Sequence, residues 1–338
     1  MARDSDERET VCRLRIMQEL LPRLPRDCAR FTDQNIYANP SDMLSDMVAN
    51  LPSNRRLNED QHIFILRFAD VLDTVWKEDQ DLPPERRSVY HMLLLGQGGS
   101  GKTHIVQNLI FPVVHFIWPA KKEEETLMVV AAKNAQAKNI STETVRAKTL
   151  HMAGCMRVQS LSNSQMAAGK KEKALERMWK NIRVLIIEEI SMVAAILYNM
   201  LDYRSMLGRR VAFKVDPQTY TKVGCAFGRV PIVLHLGDFF QLRPTAQMSL
   251  LEDMDGQDAD GRYVYQDVPL EVQHGQKLFS QIPDVFELRG TMRFQPQDPL
   301  IEILQCMRLG HAMPDRLWAQ FEERVVRDEL PGVADARL

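Results

Sequence analysis

Residues 96–103 read Gly-Gln-Gly-Gly-Ser-Gly-Lys-Thr, which fits the pattern of a phosphate-binding loop. The run before it, 90–95, is apolar and predicts a buried strand, and apolar residues recur at helical spacing from His104 onward. Glycines allow backbone N–H groups to turn toward phosphate oxygens, and a helix N-terminus adds a positive field. A glycine-rich turn that ended in Lys-Thr by chance would lack this strand and helix. The loop therefore predicts a nucleoside triphosphate site in an α/β domain.

The pattern assigns a role to each polar position of this loop. Lys102 supplies a positive charge at the β- and γ-phosphates, and the Thr103 hydroxyl is placed to contact Mg²⁺. We therefore expect ATP and Mg²⁺ as the cofactors. The predicted nucleotide contacts are Gly96, Gly98, Gly99, Ser100, Gly101, Lys102 and Thr103.

Composition narrows the class of protein without identifying a partner. The chain has 338 residues, of which 45% are hydrophobic and 26% charged, which is typical of a globular protein. The net charge of −2 gives no basic footprint, so any nucleic-acid contact must come from a local groove. The five cysteines form no C-x-x-C pair, which disfavours a zinc module or a disulfide framework and fits a reducing intracellular compartment. We see no secretory signal or apolar stretch long enough to span a membrane, and expect no membrane partner.

Hydrophobic patterning predicts strands that alternate with helices. Continuous Val, Ile and Leu runs, typical of strands buried on both faces, occur at 90–95, 127–132, 183–187, 232–236 and 285–288. Helical spacing occurs at 104–118, 171–181 and 194–207, and a further helix begins at Pro299 after an Asp298 cap and ends at Gly310. Pro112 is expected to kink the first of these helices. We predict a mostly parallel sheet with helices on both faces.

Two acidic residues, Glu188 and Glu189, directly follow the predicted strand 183–187. Because the carboxyl ends of parallel strands share one edge of the sheet, these carboxylates are expected beside the triphosphate. One of them can hold Mg²⁺ while the other polarises the attacking water. The alternative is that both acids only mark a solvated strand end.

The strand at 232–236 also ends in polar residues, Asp238 and Gln241. The neutral amide of Gln241 can hydrogen-bond a γ-phosphate or the attacking water, so it could distinguish ATP from ADP. We expect Phe239 and Phe240, between them, to be core residues.

Three of these segments resemble helicase motifs one, two and three of the Pif-type DNA helicases. They are residues 96–103, Leu-Ile-Ile-Glu-Glu-Ile-Ser-Met-Val at 185–193 and Leu-Gly-Asp-Phe-Phe-Gln-Leu at 236–242. This group belongs to the RecD-like branch of helicase superfamily one and includes the Helitron-type helicase domain. The second motif has Glu188 where the family has Asp.

Weaker matches follow the family's order along the chain. Leu-Asn-Glu-Asp-Gln at 57–61 is similar to the Q motif, whose glutamine, here Gln61, contacts adenine; the same residues also fit a helix capping box with Asn58 as the cap. Thr-Leu-His at 149–151 resembles a segment near the DNA path, which implicates Thr149 and His151, and Lys133 replaces a family threonine that contacts DNA.

Residues 286–293, Phe-Glu-Leu-Arg-Gly-Thr-Met-Arg, and the segment 303–310 resemble the fourth motif. By this resemblance Arg293 reaches toward the γ-phosphate and stabilises the transition state. Arg289 and Arg308 are expected to be surface residues. The resemblance spans roughly residues 57–310.

The resemblance implies a RecA-like P-loop domain at 55–310, preceded by a weakly specified helical appendage at 1–54 and followed at 311–338 by the start of another region. A second RecA-like domain, which such motors need, would be missing or separate. The implied function is ATP hydrolysis coupled to 5′-to-3′ movement on single-stranded DNA, catalysed by Lys102, Glu189, Gln241 and Arg293 with Glu188 and Thr103 at the metal. The implied setting is DNA repair, recombination and telomere maintenance in the nucleus, or else in the mitochondrion.

Two other classes of function remain alternatives. The first is a nucleotide-binding module that does not hydrolyse ATP. ATP hydrolysis that is stimulated by DNA and abolished by Lys102→Ala would exclude this alternative. The second is a small-molecule kinase, which is disfavoured because no segment resembles lid arginines.

We predict that the 338-residue chain alone does not unwind duplex DNA, because no second motor domain is recognisable for the first to close against. A strand-displacement assay on a forked duplex with a 5′ single-stranded tail tests this expectation. Robust unwinding by the purified monomer would contradict it.

Overall fold

A computed structural model gives the arrangement of most of the chain. The described residues are 37, 39–119, 125–156, 170–213, 223–251, 255–257, 263–265, 268–292, 294 and 297–324.

A parallel sheet of six strands forms the centre of the described structure. Its strands are β1 (Tyr90–Gly96), β2 (Leu127–Ala131), β3 (Lys148–Thr149), β4 (Val184–Glu188), β5 (Ile232–Gly237) and β8 (Asp284–Leu288). They lie in the order β3-β2-β4-β5-β1-β8. A separate antiparallel pair consists of β6 (Asp255–Gln257) and β7 (Tyr263–Tyr265). The predicted α/β class and parallel sheet are confirmed.

Helices flank the sheet and connect its strands. They are α1 (Pro40–Ala49), α2 (Glu59–Asp81), α3 (Lys102–Ile105), α4 (Phe111–Ile117), α5 (Asn134–Ile140), α6 (Leu150–Ala153), α7 (Lys170–Trp179), α8 (Ala195–Phe213), α9 (Leu270–Ser280), α10 (Pro299–Leu309) and α11 (Asp315–Arg324). No helix within the described ranges is both long enough and apolar enough to cross a membrane.

The two faces of the sheet build two hydrophobic cores, because successive strand residues point to opposite sides. On β1, Met92 and Leu94 join the core formed with α1 and α2, which contains Phe64 and Phe68. Leu93 joins the opposite core, in which Trp179 and Tyr198 are fully buried. This two-sided burial explains why the strands are continuous apolar runs rather than alternating ones.

The helix after the phosphate-binding loop contains the irregularity that Pro112 predicts. A π-helical turn, Val106–Ile110, separates α3 from α4, and Pro112 lies in the first turn of α4. Proline lacks an N–H and its ring excludes the preceding carbonyl, so a widened turn just before it is a usual accommodation. The chain remains helical through the irregularity.

Helix α1 lies within the predicted appendage at 1–54, and the part described there belongs to the main core. Met43, Leu44 and Met47 are buried in the same cluster as α2. Ser41 at the start of α1 donates through both its backbone N–H and its hydroxyl to Asp73 on α2, at 2.9 and 2.6 Å.

A buried histidine on β1 has an energetic cost in this fold. His91 is 2% exposed, and neither of its ring nitrogens has a hydrogen-bond partner among the described residues. Burial, together with the nearby His235, lowers the pKa of His91 to about 3. By contrast, the His235 ring contacts the Tyr198 hydroxyl at 2.8 Å and the Met92 carbonyl at 3.0 Å.

We predict that His91→Leu stabilises the chain, and does so more at pH 5 than at pH 8. Below pH 6.5 the unfolded chain binds a proton that buried His91 does not accept, so this histidine costs stability increasingly as the pH falls from its unfolded pKa toward 3. The gain should be about 2 kcal/mol larger at pH 5 than at pH 8. Urea unfolding at the two pH values measures it.

His274→Ala on the exposed side of α9 is the control, and it should change stability by less than about 0.5 kcal/mol at either pH. An equal effect of His91→Leu at both pH values would contradict the explanation.

Candidate nucleotide-binding site

The polar residues predicted from sequence follow strands whose carboxyl ends lie side by side. Strand β5 pairs with β1 on one side and β4 on the other, so Leu95 is level with Gly237 and Ile187 with His235. The phosphate-binding loop follows β1, the two glutamates end and follow β4, and the Asp238 loop follows β5. Three loops therefore meet at one edge of the sheet.

The phosphate-binding loop adopts a conformation that depends on glycine at two positions. Gly99 and Gly101 have φ angles of 85° and 93°, in the left-handed region that other residues rarely adopt. A Cβ atom at Gly101 would also collide with Nε2 of Gln61. Helix α3 begins at the next residue, Lys102, so the loop leads directly into a helix N-terminus.

The Lys102 ammonium lies inside this loop. It donates hydrogen bonds to the carbonyls of Gly96 and Gln97, the latter at 3.3 Å. Burial lowers the pKa of Lys102, while Glu189, Glu188 and Asp238 oppose that effect in decreasing order. The lysine therefore contacts loop carbonyls and has acidic side chains near it. A bound polyanion would compete with these groups for the positive charge of the lysine.

Glu188 is the last residue of β4 and its carboxyl group is buried. Its Oε2 atom has no hydrogen-bond partner among the described residues. Burial and the adjacent Glu189 raise the pKa of Glu188 to about 7, and Lys102 partly offsets this rise. An unpartnered buried carboxyl oxygen costs free energy unless a cation or donor satisfies it.

Glu189 differs from Glu188 in backbone conformation and is less buried. Its φ angle is 52°, in the left-handed region, where a residue other than glycine is strained. Burial raises the pKa of Glu189, Lys102 lowers it and Asp238 raises it further. Backbone strain of this kind is often found at functional positions, and here it occurs at the residue that directly follows β4.

The loop after β5 is organised by the Asp238 carboxylate. Oδ1 of Asp238 accepts from the Phe240 backbone N–H at 3.1 Å, and Oδ2 accepts from Gln241 Nε2 at 3.3 Å. Gln241 faces the phosphate-binding loop, since a Cβ atom at Gly98 would be 3.7 Å from its Nε2. Asp238 and Gln241 therefore lie beside that loop.

The structure corrects two expectations near this loop. Phe239 packs on the core against Phe279, as predicted, but Phe240 is 60% exposed rather than buried. Arg308 is partly buried rather than freely exposed: its guanidinium pairs with Asp238 and lies 4.6 Å from the centroid of the Phe240 ring. The sequence does not reveal this pairing because Arg308 and Asp238 are 70 residues apart. Arg289 is 81% exposed, as expected.

The segment after β8 lies against the phosphate-binding loop. The Met292 N–H donates to the Gly99 carbonyl at 2.8 Å, and the Thr291 hydroxyl lies 3.4 Å from the Gly98 carbonyl. Arg293, the predicted γ-phosphate arginine, lies outside the described residues, and its role stays a prediction.

Gln61 lies beneath the loop and is fully buried. It forms the predicted capping box with Asn58, through two hydrogen bonds of 2.9 Å. Its Nε2 donates to the Ser100 carbonyl at 2.9 Å. In this conformation Gln61 braces the phosphate-binding loop, and its predicted contact with adenine stays a prediction.

The residues predicted to contact DNA lie at the same edge of the sheet, farther from the loop. Lys133 follows β2 and is exposed, while Thr149 ends β3 and accepts from the Met152 N–H at 3.2 Å as the cap of α6. His151 is partly buried, and burial lowers its pKa. The neighbouring Met152 is 59% exposed.

Comparison with known proteins gives a consistent family. The sequence model of the PIF1-like helicase family matches residues 84–257, a little over half of the chain. ATP-dependent DNA helicase RRM3 of Saccharomyces cerevisiae is 29% identical over 153 residues, which cover 45% of this chain and 18% of RRM3. ATP-dependent DNA helicase PIF1 of the same species is 23% identical over 235 residues, which cover 70% of this chain and 23% of PIF1.

Among solved structures, the Pif1 helicase from Candida albicans superimposes with a TM-score of 0.50 at 20% identity. The match covers 78% of this chain and 47% of that one. The fold is therefore shared, and the chain spans about half the length of this solved structure and less than a quarter of the two yeast relatives.

We predict that Gln61→Ala lowers the free energy of unfolding by about 2 kcal/mol, because it removes half of a capping box and a buried hydrogen bond to the loop. Thermal unfolding measures the loss. The exposed Gln281→Ala should leave stability within about 0.5 kcal/mol of the parent. If Gln61→Ala left stability unchanged but abolished preference for ATP over GTP, the bracing role would be wrong and the adenine contact favoured.

Proposed function

The chain belongs to the PIF1-like helicase family, and we propose that it forms the ATP-hydrolysing part of a DNA helicase. The proposed activity is ATP hydrolysis coupled to 5′-to-3′ movement on single-stranded DNA. The observation that carries this proposal is the convergence of Lys102, Glu189 and Asp238, whose charges act on one another at the edge where three loops meet.

In the proposed ATP complex, the triphosphate lies along residues 96–103. The backbone N–H groups of the loop and the N-terminus of α3 face its oxygens. Lys102 exchanges its hydrogen bonds to the Gly96 and Gln97 carbonyls for phosphate oxygens. This exchange needs little further desolvation of the ammonium, because Lys102 is only 9% exposed.

The residues present also fit Mg²⁺. The Glu188 carboxyl has an orphaned buried oxygen, and Thr103 carries a hydroxyl in the first turn of α3. When bound, Mg²⁺ would neutralise charge on the triphosphate. Any further ligands of the ion would come from phosphate and water, as is usual for Mg²⁺ at nucleotide sites.

Glu189 is proposed as the group that accepts a proton from the attacking water. Its raised pKa makes the carboxylate more basic than an exposed glutamate, which favours this role. Gln241, beside Gly98, is proposed to hydrogen-bond the γ-phosphate or that water. Arg293 is proposed to stabilise charge in the transition state.

Single-stranded DNA is proposed to cross the carboxyl edge of β2 and β3, near Lys133, Thr149 and His151. An exposed lysine suits a backbone phosphate, and the exposed Met152 offers an apolar surface to a base. A second RecA-like domain, on the same polypeptide or a separate one, is proposed as the partner against which this domain closes. The proposed setting is the maintenance of nuclear or mitochondrial DNA, including repair, recombination and telomere maintenance.

One observation favours the alternative of nucleotide binding without hydrolysis. Burial and the adjacent Glu189 raise the pKa of Glu188, which favours the neutral form of the side chain at the proposed metal position. A neutral carboxyl is a weak ligand for Mg²⁺. The alternative predicts ATP binding with no DNA-stimulated turnover.

We predict that Glu189→Gln keeps ATP binding but lowers the ATPase rate at least about 100-fold, because the amide cannot accept the proton of the water. Binding of a fluorescent ATP analogue and phosphate release in the presence of single-stranded DNA measure the two effects.

Glu172→Gln, on the exposed face of α7, is the matched control and should retain the parent rate, whereas Lys102→Ala should lose both binding and turnover. Retained hydrolysis in Glu189→Gln would show that another group activates the water.

A further inference from the structure

A single arginine from the last turn of α10 joins the loop after β5. Arg308 is 19% exposed in its side chain and Asp238 is 1% exposed, so their ion pair is largely shielded from water. The Arg308 guanidinium also stacks on Phe240 of the same loop. Ion pairs that are shielded and stacked in this way have fixed geometry, unlike exposed ones.

The oxygen of Asp238 that contacts Arg308 also accepts a hydrogen bond from Gln241. Both contacts are to Oδ2, and the one from Gln241 Nε2 is 3.3 Å long. The Gln241 amide in turn lies beside Gly98 of the phosphate-binding loop. Direct contacts therefore link α10 to Asp238 and Asp238 to Gln241, and the Gln241 amide lies near the loop.

The charges of this pair act directly on the loop lysine. Asp238 raises the pKa of Lys102 and Arg308 lowers it. Without Arg308, the Asp238 carboxylate would be an uncompensated negative charge beside the proposed triphosphate. Such a charge would repel ATP more than ADP, because ATP carries the additional phosphate on this side of the site.

We propose that Arg308 is a positioning residue that sets the preference of the site for ATP over ADP. It neutralises Asp238, which weakens the hold of that carboxylate on Gln241 and leaves the amide free to donate to a γ-phosphate. The inference rests on the proposed nucleotide site and adds α10 to it. Helix α10 is well placed to carry this effect, because it is capped by Asp298, anchored by the buried Ile303 and linked to α11 through Arg316 and Glu302.

The test measures the dissociation constants of fluorescent ATP and ADP analogues, with Mg²⁺, for the 338-residue chain and its variants. Arg308→Ala should lower the ratio of ATP to ADP affinity by about tenfold, while Arg308→Lys, which keeps the charge but not the planar stack, should give a smaller loss. Arg316→Ala removes an arginine from an exposed ion pair on α11 and should leave the ratio unchanged. Adding Asp238→Asn to Arg308→Ala should restore part of the ratio, because it removes the uncompensated charge.

These outcomes separate positioning from a purely structural contact. Thermal unfolding of each variant reports stability, and a structural contact would lower the melting temperature of Arg308→Ala without changing the affinity ratio. If Arg308→Ala does not fold, Arg308→Lys and the neutral double variant decide the question. An unchanged ratio in folded Arg308 variants, with the parent chain binding ATP, would overturn this inference alone. A parent chain that bound neither nucleotide would overturn the proposed function as well.

Discussion

The site is assembled by the parallel pairing of β5 between β1 and β4. Lys102, Glu189 and Asp238 span more than 130 positions of the chain, and each follows one of these three strands. Both faces of the strands pack into close-packed cores, so a shift of register would disturb the packing of both cores. The pairing of the central strands therefore determines both the stability of the cores and the geometry of the site.

The electrostatics of the site follow from the way these three loops meet. Two glutamates and Asp238 surround one buried ammonium, and burial raises the pKa of both glutamates while it lowers that of Lys102. Burial therefore disfavours the charged forms of these groups, and perturbed pKa values of this kind are typical of binding and catalytic sites. A triphosphate accompanied by a divalent cation would bring charges of both signs to these groups, and this is the physical basis of the proposed function.

The sequence predicts the strands, the loop and the sheet edge well, because each depends on local pattern: continuous apolar runs, glycines at fixed spacing and carboxylates at strand ends. It predicts poorly what depends on distant packing. Arg308 looked like a surface residue since nothing local marks its pairing with Asp238, and β3, with two residues, is too short to give a periodic signal. The burial of Gln61 was likewise invisible, although its capping box with Asn58 was not.

Hydrogen–deuterium exchange with and without Mg-ATP can show whether the three loops share one ligand, because it reports on all of them at once. We expect ATP to slow amide exchange together in residues 97–103, 189–192 and 238–241, which follow β1, β4 and β5. Protection confined to one of these segments, or to a different surface, would show that the three loops do not bind the same ligand.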